Sequence, residues 1–207
     1  MATASEPPFR YLGGDPAVDF VNTVDWEAGV PIESERLRDY AGLLAWAEGA
    51  GVISAAIRRS LARRARERPA EAATVLRDAL ALRELLESVF GAAARGERLA
   101  PAQLARLNGL VRVALARREL RGTGPPLGWS LAGEGEALAS PLWQVALAAA
   151  DLLASEEIER LKTCAGPRCG WMYVDRSRNG LRRWCSMEQC GSRAKARRHY
   201  ARQRGQG

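Results

Sequence analysis

Residues 164–190, CAGPRCGWMYVDRSRNGLRRWCSMEQC, contain all four cysteines of this 207-residue chain. The cysteines form two pairs, Cys164 with Cys169 and Cys185 with Cys190, with four residues inside each pair and fifteen between the pairs. Zinc takes four ligands in a tetrahedron, and thiolate is one of its preferred ligands. Because four thiolates leave no position open for water, the spacing predicts one structural zinc ion rather than a catalytic one.

Neither disulfides nor redox chemistry accounts for the four cysteines as well as zinc does. Two disulfides would be typical of a secreted chain, but the N-terminal sequence MATASEPPFRYLGG has neither the basic nor the apolar segment of a secretion signal. Free buried cysteines do not suit a stretch so rich in arginine, and a redox pair normally has two residues between its cysteines. The longest apolar run, Val145 to Ala154, is too short to span a bilayer. We therefore expect a cytoplasmic protein.

The residues between the cysteine pairs have the pattern of a β-hairpin. Residues 171–174 (WMYV) are typical of a short strand, Ser177 to Gly180 of a turn, and Leu181 to Trp184 of a returning strand. Residues 191–204 follow without a helix breaker after Gly191, and their alanine and arginine residues favour a helix. The sequence thus predicts a four-cysteine zinc finger over residues 161–207, with a β-hairpin and a basic helix.

Basic residues are concentrated in this C-terminal segment. Residues 161–207 contain twelve lysine or arginine residues and two acids, for a net charge of +10, whereas the first 160 residues carry −3. A GC-rich genome would explain why only two of the 31 basic residues are lysine, but not why acids become scarce after Glu159. The asymmetry indicates a polyanionic partner.

Residues 9–160 have the pattern of a helical bundle. Apolar residues recur at helical spacing in about six segments, which begin near Pro16, Leu37, Ser54, Pro69, Pro101 and Pro141. In the fifth segment the spacing predicts that Leu104, Leu107 and Leu110 face the core. Residues 127–131 have the character of a short strand. We expect a mainly α-helical protein in which the zinc finger packs on this bundle.

Three polar residues form a cluster in the first predicted helix. Asp19, Asn22 and Thr23 lie at helical spacing beside Trp26 in an otherwise apolar segment. They could line a pocket for a small-molecule effector, or they could cap and connect helices inside the bundle. The sequence alone leaves both interpretations open.

The C-terminal segment resembles the CGNR zinc finger of bacterial proteins. The matching residues are Cys164-x4-Cys169-Gly170-Trp171, Asp175-x-Ser177-Arg178-Asn179-Gly180, Arg183-Trp184-Cys185-Ser186-Met187 and Cys190-Gly191-Ser192-Arg193-Ala194-Lys195. The preceding residues are similar to the helical ABATE domain, through Val18 to Thr23, Leu107-Asn108 and the helix at 141–157. The resemblance implies a stress-induced transcription regulator that binds DNA. The family motif has asparagine where this chain has Ser192, and both residues can cap a helix.

We therefore expect a DNA-binding regulator whose finger contacts the nucleic acid. The expected contact residues are Arg182, Arg183, Arg193, Lys195, Arg197, Arg198 and Arg202. RNA is an alternative partner, and a zinc-stabilised protein-interaction module with Trp171, Tyr173 and Trp184 at its surface is another. We expect no enzymatic activity, since the single histidine, His199, lies in the basic helix and no nucleophile has a nearby base. The sequence leaves a homodimer open and identifies neither the effector nor the DNA sequence.

Overall fold

The computed structural model describes residues 9–27, 30–32, 35–167 and 169–204. Within these ranges the chain is mainly helical, with six α-helices before the cysteine pairs and one after them. The helices are α1 (Pro16–Val21), α2 (Tyr40–Gly49), α3 (Ala55–Glu67), α4 (Pro69–Ala94), α5 (Pro101–Leu115), α6 (Ser140–Ala154) and α7 (Ser192–Arg204). The predicted fold class is confirmed.

Six short strands form three antiparallel pairs. They are β1 (Asp25–Glu27) with β2 (Val30–Ile32), β3 (Arg118–Arg121) with β4 (Gly128–Leu131), and β5 (Leu161–Thr163) with β6 (Met172–Val174). A 3₁₀-helix at Glu156–Arg160 joins α6 to β5, and one π-helical turn at Met187–Gly191 leads into α7. Strand β4 confirms the strand expected at residues 127–131.

Side-chain caps and prolines set where the helices begin. The carboxylate of Asp15 accepts a hydrogen bond of 2.8 Å from the Ala17 amide, and Pro16 occupies the first turn of α1. Ser54 caps α3 by accepting from the Ile57 amide at 3.3 Å. Such caps pair amide groups that have no partner within the helix. Helices α4, α5 and α6 likewise have proline in the first turn, where its missing N–H costs nothing.

Helix α4 is the centre of the bundle. It packs against α1, α2, α3, α5 and α6, and it buries Leu82, Leu86 and Phe90 among other apolar side chains. Burying a side chain of this size contributes about 1.5–3 kcal/mol. The same continuous core includes Leu161, Met172 and Val174 from strands β5 and β6. Residues on both sides of the first cysteine pair therefore belong to the core of the bundle.

One helix departs from its predicted inward face. Leu107 of α5 is buried, as expected, but Leu104 and Leu110 are 44% and 38% exposed. Helix α5 packs mainly on α6, where Ala114 is also buried, and it makes few contacts with α4. The helical spacing correctly predicts the helix, but it does not reveal that a second apolar row has no neighbour to pack against.

The hairpin predicted between the cysteine pairs is wrong in its second strand. Residues 172–174 do form a strand, and Gly180 closes the predicted turn with a 3.2 Å hydrogen bond to the Ser177 carbonyl. The strand partner, however, is β5, which precedes Cys164. Residues 181–184 form no strand because the Arg182 amide donates to the Asp175 carboxylate at 3.0 Å instead of to a strand.

The side chain of Asn22 joins the first helix to strand β6. Its Nδ2 donates to the Met172 carbonyl at 2.8 Å, and its Oδ1 accepts from the Met172 amide at 3.0 Å. Further along the strand, the Val174 amide donates to the Gly13 carbonyl at 2.7 Å. Asn22 and Met172 are both 2% exposed, so these bonds are shielded from water. The finger is thus attached to the bundle by buried polar contacts as well as by apolar packing.

No described helix has both the length and the apolar character that crossing a bilayer would require.

Replacing Asn22 with alanine should destabilise the protein by several kcal/mol, because two buried backbone groups at Met172 lose their partners at about 1–3 kcal/mol each. The free energy of unfolding in urea would measure the loss. Asn108→Ala, at an exposed position on α5, is the matched control and should change stability by less than about 0.5 kcal/mol. Equal effects of the two substitutions would contradict the structural role of Asn22.

Candidate metal centre and nucleic-acid interface

The four cysteine sulphurs form a compact cluster. All four Sγ atoms lie within 4.8 Å of one another. The Sγ–Sγ distances are 3.6 Å for Cys169–Cys185, 3.7 Å for Cys185–Cys190 and 3.6 Å for Cys190–Cys169. A tetrahedral zinc ion with bonds of about 2.3 Å would place neighbouring sulphurs about 3.8 Å apart. A disulfide needs about 2.05 Å, so the cysteines are unpaired thiols at metal-ligand spacing.

Two short segments hold the paired cysteines. Cys164 directly follows β5, and its amide donates to the Trp171 carbonyl at 2.8 Å, which extends the β5–β6 pairing to the first ligand. Cys190 lies in the π-helical turn, whose N-terminus is capped by Ser186. The Ala165 amide donates to the Arg183 carbonyl at 2.9 Å and brings the two halves of the cluster together. Each pair therefore curls around one side of the site.

The surroundings of the sulphurs suit thiolates bound to a cation. The Cys185 and Gly166 amides donate to the Cys164 Sγ at 3.2 and 3.4 Å, and the Arg193 guanidinium donates to the Cys190 Sγ at 3.4 Å. Hydrogen bonding with Cys164, the contact with Cys169 and burial raise the pKa of the Cys185 thiol. A divalent cation among the four sulphurs reverses that preference and favours thiolates. The geometry and the donor set thus fit Zn²⁺.

Gly166 allows the loop between the first two cysteines to approach the sulphurs. A Cβ atom at this position would lie 3.1 Å from the Cys190 Sγ and 3.3 Å from the Cys164 Sγ. Such contacts are tighter than ordinary van der Waals distances, and both sulphurs are ligands that cannot move independently. A glycine in a short loop has no specific signal, so the sequence alone does not reveal this requirement.

The aromatic residues of the finger form its own small core. Trp171 and Tyr173 are 4% and 0% exposed and pack with the cysteines. The Trp171 indole nitrogen donates to the Asp25 carboxylate at 2.8 Å, and the Tyr173 hydroxyl donates to the Arg182 carbonyl at 2.8 Å. Trp184 is half-buried against this cluster. An aromatic docking surface for another protein therefore has no support from Trp171 or Tyr173.

Asp175 organises the loop that joins the finger strand to the second cysteine pair. Its carboxylate accepts from the Lys162 ammonium at 2.7 Å and from the amides of Ser177 and Arg182, both at 3.0 Å. The hydrogen bond from Lys162 is the main reason that the pKa of this carboxyl lies well below its usual range. Asp175 is 1% exposed. One buried carboxylate thus fixes the shape of residues 175–182.

Arg182 lies inside the finger rather than on a free surface. Its guanidinium donates to the carbonyls of Trp184 and Cys185 at 2.9 and 2.5 Å and also reaches the Leu12 carbonyl at 3.2 Å. The guanidinium carbon also lies 4.1 Å from the centre of the Tyr173 ring. These contacts use the Nε and Nη2 donors of the guanidinium. The structure therefore gives Arg182 a structural role, and its contact with nucleic acid stays a prediction.

The remaining predicted contact residues are exposed where the structure describes their side chains. Arg183 lies beside Trp184, with its guanidinium carbon 5.5 Å from the ring centre, while the others lie along α7. Arg178, which was not among the predicted residues, is exposed on the loop organised by Asp175. We refer to these side chains together as the finger basic surface: Arg178, Arg183, Arg193, Lys195, Arg197 and Arg198. Arg202 belongs to α7, but its side chain lies outside the described residues.

Two family profiles match adjacent parts of the chain. The profile described as "CGNR zinc finger" matches residues 160–203, and the profile ABATE, described as "Putative stress-induced transcription regulator", matches residues 14–156. The chain belongs to the ABATE family. The cysteine cluster is accordingly the structural zinc site of a CGNR finger. No curated protein matches the chain closely enough to establish a relationship.

The CGNR finger of this ABATE protein has serine at one position of the motif that gives the finger its name. Ser192 is the first residue of α7, and its hydroxyl donates to the Met187 carbonyl at 3.1 Å. The side chain is exposed and bonds within the π-helical turn that contains Cys190. Ser192 therefore helps to join the metal-binding turn to the basic helix.

The three polar residues of the ABATE domain are bonded within the fold. Asp19 accepts from the Gly13 amide at 2.7 Å, and the Thr23 hydroxyl donates to the Phe20 carbonyl at 2.7 Å while accepting from Arg83 at 3.0 Å. Asn22 bonds both backbone groups of Met172. These contacts give the cluster a structural explanation, and effector binding through the three side chains stays a prediction.

Substituting Gly166 with alanine should weaken zinc binding by roughly tenfold or more, as changes to groups that support metal ligands commonly do. Competition with a chromophoric chelator would measure the affinity. Gly135→Ala is the matched control, since a Cβ there meets no atom within 4 Å, and it should leave the affinity unchanged. Unchanged affinity in Gly166→Ala would show that the loop does not constrain the site.

Replacing Asp19 with asparagine should change how stability depends on pH. Burial raises the pKa of Asp19 to about 6, and the nearby Asp15 carboxylate adds to the increase. The unfolded carboxyl titrates near 3.9, so the folded state binds this proton more tightly. The contribution of Asp19 to stability is therefore full below about pH 3.9 and is lost as the pH rises through 6.

Urea unfolding of both proteins between pH 4 and 7 would test this sign. The stability of Asp19→Asn relative to the unsubstituted protein should rise by about 2–3 kcal/mol over that range, from 1.36 kcal/mol per pKa unit. The remaining titrating groups are common to both proteins and cancel in the difference. A difference that does not vary with pH would contradict a buried carboxyl with a raised pKa.

Proposed function

We propose that this ABATE protein is a DNA-binding transcription regulator whose finger basic surface contacts duplex DNA. The main observation in support is that five of these six cations have no hydrogen-bond acceptor or ion-pair partner within the described chain, although nearby basic residues do. Lys162 and Arg176, for example, are paired with Asp175 and Glu157. Arg178, Arg183, Lys195, Arg197 and Arg198 remain available to phosphates. The proposal includes a cytoplasmic location and no catalytic activity.

The zinc site supports this role by holding the basic segments in fixed positions. Helix α7 begins two residues after Cys190, Arg183 lies two residues before Cys185, and Arg178 extends from the loop fixed by Asp175. Cations held in place lose less conformational entropy on binding than cations on a free tail. The metal would thus act as the support from which the nucleic acid is contacted, with no part in any reaction.

The shape of the finger favours duplex DNA over single-stranded RNA. Helix α7 is thirteen residues long. At about 1.5 Å per residue it extends roughly 20 Å, and the major groove of B-DNA, about 12 Å wide, admits a helix of this kind. Readers of single-stranded RNA usually stack bases on exposed aromatic rings. Trp171 and Tyr173 are buried and cannot serve as such rings, although Tyr200 of α7 is 65% exposed.

The positions along α7 suggest two kinds of contact. Arg193 and Lys195 lie within one and a half turns of the metal site and are the better candidates for reading base edges, because the zinc cluster holds them most firmly. Arg197 and Arg198 lie farther along the exposed helix and suit phosphate contacts. A homodimer bound to two half-sites and an effector for the ABATE domain are further parts of this proposal.

Binding to duplex DNA should weaken steeply with salt. If about five of the cations contact phosphates, the logarithm of the association constant should fall with the logarithm of salt concentration at a slope of roughly −4 to −5. Fluorescence anisotropy of a labelled duplex would measure the slope. The same titration after zinc removal should show much weaker binding, because the support of α7 is lost. Salt-insensitive binding, or equal binding by the metal-free protein, would contradict the proposal.

A paired substitution tests whether α7 itself is the contact. Arg197→Ala with Arg198→Ala should reduce affinity for all duplexes and reduce the magnitude of the salt slope by about two. Arg59→Ala with Arg63→Ala removes the same charge from exposed positions on α3, which packs against α2 and α4, and it should alter the slope little. Equal losses would indicate a general charge effect. Tighter binding to single-stranded or duplex RNA would favour RNA as the partner.

A further inference from the structure

A cavity of about 320 Å³ lies between α4, α5 and α6 in the ABATE domain. Leu82 and Leu85 of α4, Gly109 and Leu110 of α5, and Leu142 and Trp143 of α6 form most of its wall. Small-molecule sites usually have volumes of roughly 300–1,000 Å³ and mainly apolar walls with a few polar groups. The cavity meets both criteria, and none of Asp19, Asn22 and Thr23 contributes to it.

Gly109 keeps this space open from the α5 side. It lies in the middle of a fifteen-residue helix, where glycine is less favourable than alanine by roughly 0.5–1 kcal/mol. A Cβ at Gly109 would meet no atom within 4 Å, so no neighbouring group forces this position to be glycine. Glycine here also needs no special backbone conformation, because its φ is not positive. The residue therefore leaves room that the free protein does not fill.

Two charged side chains of opposite sign border the cavity, Arg106 on α5 and Asp78 on α4. Both are exposed, and neither has an ion-pair partner within the described ranges. The chain reverses between the two helices, and the 2.6 Å bond from Gln103 to Ser88 fixes their register. Arg106 therefore lies near Leu85, while Asp78 lies two helical turns away, about 10 Å along α4.

We propose that this cavity binds a small molecule with an apolar body and an anionic group held by Arg106. A guanidinium offers a planar fork of donors that matches a carboxylate or sulfonate. A ligand about 10 Å long would place a hydrogen-bond donor at its other end beside Asp78. The inference concerns binding to the ABATE domain alone and does not depend on DNA binding by the finger.

The anionic dye 1-anilinonaphthalene-8-sulfonate is a suitable probe, since it combines an aromatic body with a sulfonate and fluoresces on leaving water. The unsubstituted protein should bind it saturably at one site. Gly109→Leu fills the cavity from its wall and should remove this binding without lowering the melting temperature. Gly109→Ala gives the same gain in helix propensity with one carbon instead of four, so it should retain the dye.

The charge requirement has its own test on a surface residue. Arg106→Gln should raise the dissociation constant of the sulfonate dye by roughly tenfold, from the loss of one charge-assisted hydrogen bond. The uncharged analogue N-phenyl-1-naphthylamine should bind the Arg106→Gln variant and the unsubstituted protein equally. This comparison holds even if Gly109→Leu is poorly folded, because an exposed arginine without described partners is not needed for stability.

Three results would overturn the proposal. Unchanged dye binding by a folded Gly109→Leu variant would place the dye elsewhere, for example on the exposed Trp129 of strand β4. Loss of both dyes in Arg106→Gln would show that the substitution disturbs the wall instead of removing a charge contact. If the unsubstituted protein self-associates and Gly109→Leu does not, the cavity would be an interface between two copies of the chain.

Discussion

The two hydrogen bonds between the Asn22 side chain and the Met172 backbone join parts of the chain that are 150 positions apart in sequence. A single amide satisfies both backbone groups of one strand residue, in a place that water does not reach. Because β6 is bonded to the first helix in this way, the first cysteine pair extends from the core of the bundle. The zinc site and the helical domain are therefore packed together through a shared core, although the family profiles divide the chain between residues 156 and 160.

The buried carboxylate of Asp175 is the second group that shapes the finger and its charged surface. Asp175 is one of only two acids after residue 160, and it is surrounded by Lys162, Ser177 and the Arg182 amide. Arg182 is in turn occupied by backbone carbonyls, so it closes the fold of the finger. Because acids are scarce here, the outward-facing Arg178 and Arg183 have no acidic partner within the described residues, whereas Arg176 pairs with Glu157 of the bundle. The same amino acid thus has a structural role at position 182 and a surface role at positions 178 and 183.

Local patterns in the sequence predict much of this architecture. Helical spacing and caps locate all six helices of the bundle, and the cysteine spacing identifies the metal ligands without any tertiary information. The partner of β6 could not be predicted in this way. Residues 161–163 are joined to β6 by the loop that carries Cys164 and Cys169, and this loop has no turn pattern that would indicate a hairpin. The bonds from Arg182 to backbone carbonyls could not be predicted either, since charge alone does not show which carbonyls surround a side chain. The cavity beside α5 depends on which of two apolar rows finds a neighbour, and helical periodicity gives both rows equal weight.

Helix α7 is attached to the rest of the protein almost entirely through the π-helical turn that contains Cys190. Along its described side chains only Ala194 is buried, so substitutions elsewhere on its surface remove little packing energy. The first two residues of α7, Ser192 and Arg193, bond to the metal-binding turn through their side chains, and the exposed side chains farther along the helix take no described part in metal binding or in the core of the bundle. Under the proposed function, changes on the exposed surface of α7 would alter which nucleic-acid sequence is preferred while the scaffold stays the same, so that selection acts on specificity with little penalty in stability.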